Sequence, residues 1–295
     1  MRRRFVTLDV FTLHRLAGNP LAVVRDADGL DAAAMQAVAR EFNLSETVFV
    51  LPPRGGGRAR LRIFTPGREL PFAGHPTVGT AALLALESGK GPSKFVLEEE
   101  VGPVACEVVP RDIASAHARF ALPRLPEPLG DIGNVAAVAA ALGLDAADVG
   151  GLPSGFWSGG VPFAFLCVRT REAVTRARPD MSLFPRAFGP DEPKSVFIFA
   201  ADPQDSAHHY HARMFAPTFG IAEDPATGSA VAGFAGLLAA HAQLGDGEHA
   251  LVIEQGYAMG RPSLIHLSLT MQNGVLVSGF IGGDAVIFSE GTIEA

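Results

Sequence analysis

His75-Pro76-Thr77-Val78-Gly79-Thr80-Ala81 returns 149 residues later as Asp224-Pro225-Ala226-Thr227-Gly228-Ser229-Ala230. Upstream of it, Ile63-Phe64-Thr65-Pro66 is matched by Met214-Phe215-Ala216-Pro217. Earlier still, Gly18-Asn19-Pro20-Leu21-Ala22-Val23-Val24 is matched by Gly160-Val161-Pro162-Phe163-Ala164-Phe165-Leu166. Echoes in one order, at an offset near half of 295 residues, predict two copies of one fold. The proline-rich stretch 122–128 is the expected joint. It gives an N-terminal domain over 1–122 and a C-terminal domain over 129–295, whose final strand is free to pack back on the first domain.

The segment after each echo sets the architecture. Residues 76–85 and 225–240 are apolar on every helical face, so each helix must be enclosed on all sides. Strands of the same domain are the simplest enclosure. Strand-like runs bounded by Gly or Pro lie at 4–11, 22–25, 47–51, 59–64, 95–98 and 104–109 in the first copy. In the second they lie at 162–168, 196–199, 208–215, 250–255, 264–270 and 274–279. Amphipathic helices are expected at 31–41, with Asp31 as N-cap, and at 134–142. The expected fold is α+β: two pseudo-symmetric domains, each a mostly antiparallel sheet or barrel wrapped round a central apolar helix.

Composition narrows the function classes. The chain is 48% apolar with a net charge of −7, which excludes disorder and argues against nucleic acid, whose phosphates call for clustered Lys and Arg. Two cysteines cannot build a disulfide framework, so a reducing cytoplasm is expected. Twenty Phe against two Tyr and one Trp point to core filling rather than a stacking surface. Arg2-Arg3-Arg4 resembles an export start, but Asp9, His14 and Arg15 interrupt the apolar run such a signal needs. The most apolar later run, 226–242, is too short to span a bilayer.

Both inner helices are expected to carry proline in the first turn, with His75 in front of one and Asp224 in front of the other. Backbone N–H groups at such a start attract an anion, and Gly79 and Gly228-Ser229 would let a ligand approach closely. Two such starts facing each other across a pseudo-twofold cleft would grip a small carboxylate. Ordinary capping by Asp224 and His75 accounts for the same residues.

Several motifs together resemble the phenazine-biosynthesis PhzF-like isomerase family, which shares its fold with diaminopimelate epimerase. They are Asp9-Val10-Phe11, Gly18-Asn19-Pro20-Leu21-Ala22-Val23, Asn43-Leu44-Ser45-Glu46-Thr47 with Phe49, Phe72-Ala73-Gly74-His75-Pro76-Thr77, Glu223-Asp224-Pro225-Ala226-Thr227-Gly228-Ser229-Ala230, and Gln255-Gly256 with Met259-Gly260-Arg261-Pro262-Ser263. The resemblance implies an active site between the domains, a catalytic glutamate at Glu46, and site residues His75 and Asp224. It places Gly74 and Asp224 where the epimerases of this fold keep paired cysteines. Cys106 and Cys167 lie in strand-like runs elsewhere, so they read as core residues and a two-thiol mechanism is disfavoured.

The chemistry fits independently. Moving a proton between two carbons needs a base that can return it, and a carboxylate raised toward neutrality by burial suits that task. The expectation is a cofactor-independent isomerase acting on a small carboxylated substrate, with Glu46, His75 and Asp224 catalytic and Gly74, Gly228 and Ser229 binding substrate. An amino-acid epimerase or racemase, or a catalytically silent carboxylate binder, are the alternatives. No metal, nucleic-acid or membrane partner is expected, and the family suggests a homodimer. His208, His209 and His211 read as a polar strand end, with His209 and His211 on one face. Residues 54–58 read as a flexible hairpin loop, and Glu98-Glu99-Glu100 as a solvated strand end.

Overall fold

A helix without a polar face persists only inside other structure, and both such helices are enclosed. The computed structural model describes residues 1–295, which divide into Met1–Pro123 with Phe280–Ala295 and, separately, Arg124–Gly279. The first unit runs β1 (Arg2–Val10), β2 (Asn19–Val24), α1 (Ala32–Phe42), β3 (Glu46–Leu51), β4 (Ala59–Phe64), β5 (Glu69–Leu70), α2 (Gly74–Ser88), β6 (Ser93–Glu99), β7 (Gly102–Pro110) and β8 (Ser115–Ala121). The second runs β9 (Glu127–Asp131), α3 (Val135–Ala141), β10 (Gly155–Ser158), β11 (Pro162–Cys167), α4 (Arg171–Arg176), β12 (Val196–Ala200), β13 (Tyr210–Ala216), β14 (Ile221–Asp224), α5 (Gly228–His241), β15 (Gly247–Gln255) and β16 (Ser263–Gln272). The last strand, β17 (Val275–Glu294), starts in the second unit and belongs to the first from Phe280 on.

In the first unit the strands close on themselves in the order β1, β2, β3, β4, β6, β7, β8, β17 and back to β1. Closure removes every sheet edge. The pairs β2–β3 and β4–β6 are parallel and the rest antiparallel, because a helix connects each parallel pair and returns the chain to the same end. The ring is therefore mixed. α2 lies inside, buried continuously from Gly74 to Ala85, and ends on Gly89 in the left-handed region. Gly79 lets it lie against β1 and β2: a Cβ there would come within 2.6 Å of Leu21 Cδ2 and 2.7 Å of Val10 Cγ2. α1 covers the outside, capped by the Asp31 carboxylate, which accepts from the Ala34 N–H, with Met35 and Ala39 packed near Phe49 and Phe64.

The second unit repeats this order of elements. Its strands pair as β9, β10, β11, β12, β13, β15, β16, with β11–β12 and β13–β15 parallel. α5 is the inner helix, touching β9, β10, β11 and β16. Phe234 on α5 sits 4.6 Å from the Phe199 ring, within a cluster that includes Phe165, Phe197 and Tyr210. Ten of the twelve largest fully buried side chains are Phe, so the lopsided aromatic count is core filling. α3 and α4 pack outside on Phe156, Leu166, Ile198 and Phe215.

The second unit ends at Gly279, and the second half of β17 pairs with both β1 and β8 to complete the first ring, the packing back left open for the final strand. One expectation needs correction: the inner helices begin differently from each other. His75 is the second residue inside α2, with Pro76 next to it, whereas Asp224 ends β14 and Pro225 precedes the α5 N-cap, Thr227. No helix is long and apolar enough to cross a membrane.

Candidate functional site

In the first unit, parallel pairing brings Glu46 to the same end of the ring as Asn19. Leu21 on β2 is in register with Glu46 on β3, so both strands begin at the same end of the ring. Asn19 is the first residue of β2 and Glu46 the first of β3. Between them lies His75, in the first turn of α2. Its Nδ1 is 3.3 Å from Asn19 Nδ2 and 3.5 Å from Glu46 Oε2. The turn has no side-chain N-cap, since Ala73 holds that position. Burial pushes the His75 pKa down to about 3. The imidazole is thus neutral at physiological pH, and its contact with Glu46 is a carboxyl beside a neutral ring, not an ion pair. Asn19 is fully buried and His75 nearly so, while the Glu46 side chain keeps 15% exposure. A carboxyl that keeps some exposure thus lies beside a buried ring that stays uncharged.

The second unit builds a different helix start. The Asp224 carboxylate accepts from Thr227 Oγ1 at 2.5 Å. Gln255, at the end of β15, accepts the Thr227 backbone N–H at 3.0 Å and donates through Nε2 to the Asp224 carbonyl at 2.8 Å and to Thr227 Oγ1 at 3.0 Å. Gly256 follows it at φ 81°, where a Cβ would meet the Arg261 carbonyl at 2.3 Å and the Pro225 carbonyl at 2.6 Å. Only glycine fits, which explains the Gln-Gly pair in the sequence. Gly228 and Ser229 are the first two residues of α5, directly after this clamp. Next door, Arg213 makes a bidentate pair with Glu223 at 2.8 and 2.7 Å.

Glu46 and His75 are therefore brought together in the first unit, with Gly74 as the first residue of α2. Asp224, Gly228 and Ser229 are grouped in the second. Sequence reasoning did not single out Asn19 and Gln255, which contact His75 and Thr227, although both sit inside the motifs quoted above.

Three readings change. His208 and His211, not His209 and His211, share a partner: each ring, through Nδ1, bonds the fully buried Glu254 carboxylate, at 2.8 and 2.7 Å. The reason is that β13 begins at Tyr210, so His208 precedes the strand and escapes its alternation. Burial opposes charge on Glu254, but the Gln204 and Asp205 N–H groups and these rings outweigh it and hold the carboxyl below its usual range. The 54–58 loop is tied down, because Glu98 accepts the N–H groups of Arg54, Gly55 and Gly57 at 2.6, 2.7 and 2.8 Å. Glu99 is buried rather than solvated. Both cysteines are buried and free, and burial pushes both thiols up, Cys167 to about 11. Neither is a thiolate at neutral pH.

Apolar inner helices in strand-built units, with a carboxyl beside a neutral imidazole at one helix start, define a class: α+β proteins of the barrel type. The chain belongs to the phenazine biosynthesis-like (PhzC–PhzF) family, whose model matches residues 8–291, and it is an isomerase of that family. It is 48% identical over 303 residues to an uncharacterized isomerase of Mesorhizobium japonicum, covering 99% of this chain and 98% of the relative. It is 36% identical over 289 residues to the trans-2,3-dihydro-3-hydroxyanthranilate isomerase of Pseudomonas fluorescens, covering 98% of each. The crystal structure of a Bacillus anthracis PhzF-family phenazine biosynthesis protein matches with a TM-score of 0.89 at 26% identity, covering all of both chains.

Proposed function

We propose that this isomerase moves one proton within a small carboxylated substrate without a cofactor, with Glu46 as the general acid/base. The observation that carries the reading is the placement of Glu46 Oε2 3.5 Å from a buried, neutral His75 at the uncapped start of α2. The Glu46 carboxylate takes a proton from one substrate carbon, leaving an electron pair delocalised over the conjugated system. The same proton returns to another carbon, so a double bond migrates and nothing is oxidised or reduced. Neutral His75 offers a hydrogen bond without competing for the proton. Asp224 and the backbone N–H groups of Gly228 and Ser229 are assigned to the polar groups of the substrate, the carboxylate going to the helix start. Neutral buried thiols speak against the two-cysteine epimerase alternative.

The test uses trans-2,3-dihydro-3-hydroxyanthranilate as probe, because a 36% identical relative is named for its isomerisation. Wild type in deuterated water should form isomer, and Glu46→Gln should lose about 10²–10⁴-fold in kcat. A folded Glu46→Gln protein with the wild-type rate would remove Glu46 from the role. Binding of the probe without turnover by wild type would favour a silent binder.

A further inference from the structure

Thr77 poses a proton-counting problem. Its Oγ1 lies 2.7 Å from the Ala73 carbonyl and 2.8 Å from Glu99 Oε1. A hydroxyl has one hydrogen, and a carbonyl can only accept. If Thr77 donates to Ala73, the hydrogen between Thr77 and Glu99 must come from Glu99. We propose that Glu99 is a positioning residue for the start of α2: as a neutral acid it donates to Thr77 Oγ1, commits the Thr77 hydroxyl to the Ala73 carbonyl, and so holds the turn that carries His75.

The surroundings agree. Glu99 ends β6 and is 8% exposed, and its Oε2 is buried with no hydrogen bond, an arrangement far costlier for a carboxylate than for an acid. Burial pushes its pKa up to about 8, outweighing the hydrogen bond with Thr77, and no cation contributes. From β7 the Cys106 thiol faces it, itself neutral. From β4, Arg60 stands opposite Glu98, whose side chain serves the 54–57 loop on the other face of β6, and Arg62 is paired with Glu69. From α2 comes Thr77.

The second unit holds the control. Arg60 pairs with Glu98 across β4–β6 as His211 pairs with Glu254 across β13–β15, so Glu99 and Gln255 occupy the same place, one residue on. Gln255 Nε2 donates to Thr227 Oγ1, and the Thr227 hydroxyl then donates to Asp224. An amide performs this at every pH; Glu99 performs it only while protonated.

The catalytic consequence rests on the proposed function, so the test has arms independent of turnover. Isotope-edited infrared spectra of glutamate-labelled wild type at pH 7 should contain a protonated-carboxyl band that Glu99→Gln abolishes. His75 ring resonances should show an inflection near pH 8 in wild type and none in Glu99→Gln. With the anthranilate probe, Glu99→Gln should match wild type at pH 7 and exceed it about tenfold at pH 9, where about one Glu99 in ten stays protonated. Glu99→Leu and Thr77→Val should be slow at every pH, with no inflection near 8. Absence of the infrared band overturns the proposal even if no variant folds. A Glu99→Gln protein sharing the wild-type alkaline limb, or as slow as Glu99→Leu at pH 7, also overturns it. If wild type does not turn the probe over, the functional reading fails, and Glu99 is judged on the band and the His75 resonances.

Discussion

Replacing Arg213 with Met should be among the most damaging single changes in the second unit. The guanidinium is almost fully buried, and each of its three nitrogens donates. Nε and Nη2 hold Glu223, and Nη1 donates to the carbonyls of Val174, Thr175 and Ala177 at 3.1, 3.0 and 2.7 Å. Those carbonyls close the end of α4, and two of them, those of Thr175 and Ala177, also accept from Arg178 Nη1 at 2.9 and 2.7 Å. Removing Arg213 strands the Glu223 carboxylate, 15% exposed, and takes one of the donors from each of the three carbonyls. Breaking such a pair costs about 3–5 kcal/mol, because an uncompensated charge stays behind. Arg213→Lys keeps the charge but reaches fewer acceptors, and should lose about half as much. The double change Arg213→Met with Glu223→Leu removes the stranded charge as well, and should be about 1–3 kcal/mol more stable than Arg213→Met alone. Trp157 is the one tryptophan and lies in this unit, so its fluorescence during urea unfolding follows the relevant transition. A loss below about 1 kcal/mol for Arg213→Met, or a double variant as unstable as the sum of its parts, would refute the reasoning. Because Glu223 precedes Asp224 on β14, the folded Arg213→Lys protein should also show a raised KM with a smaller change in kcat.

Two further outcomes follow from the first unit. Gly79→Ala gains helix propensity of about 1 kcal/mol but drives its Cβ into Leu21 and Val10; net destabilisation of about 1–2 kcal/mol is expected by urea melting, and a stabilised variant would contradict the close approach. His75 is neutral in the folded protein down to about pH 3 and takes up a proton near 6.5 when unfolded, so its contribution falls as pH drops through that window. At pH 5 the loss is about 2 kcal/mol, and His75→Leu should flatten that part of the stability–pH curve; an unchanged slope would mean that His75 is charged in the fold.

The repeat offset and the all-round apolar helices made the architecture legible, because a helix of that kind has only one physical solution. Its closure was less legible. Nothing in the periodicity of residues 275–294 says that one strand serves both units, since alternation records which face is buried and not which strands are neighbours. The inner helices start two residues before the expected position in α2 and three after it in α5, because Pro76 is compatible with the first turn of α2, whereas Pro225 must lie before Thr227 for Gln255 to clamp it. Charge runs misled for a related reason. Glu98 and Glu99 are adjacent, so they face opposite sides of β6, one toward a loop and one into the ring. Composition cannot separate them, while the pairing of β4 with β6 does.

Asn19 and Gln255 were legible as motif members and illegible as parts of the site, because their roles depend on partners more than 25 residues away. What they do also distinguishes the two inner helices. At α5 the Thr227 hydroxyl receives its hydrogen bond from an amide, which does not titrate, and donates to the Asp224 carboxylate. At α2 the corresponding position is an acid, and the neighbouring ring is a base whose proton affinity burial has nearly removed. The same order of elements thus yields one helix start with a fixed set of donors and another whose donors depend on protonation.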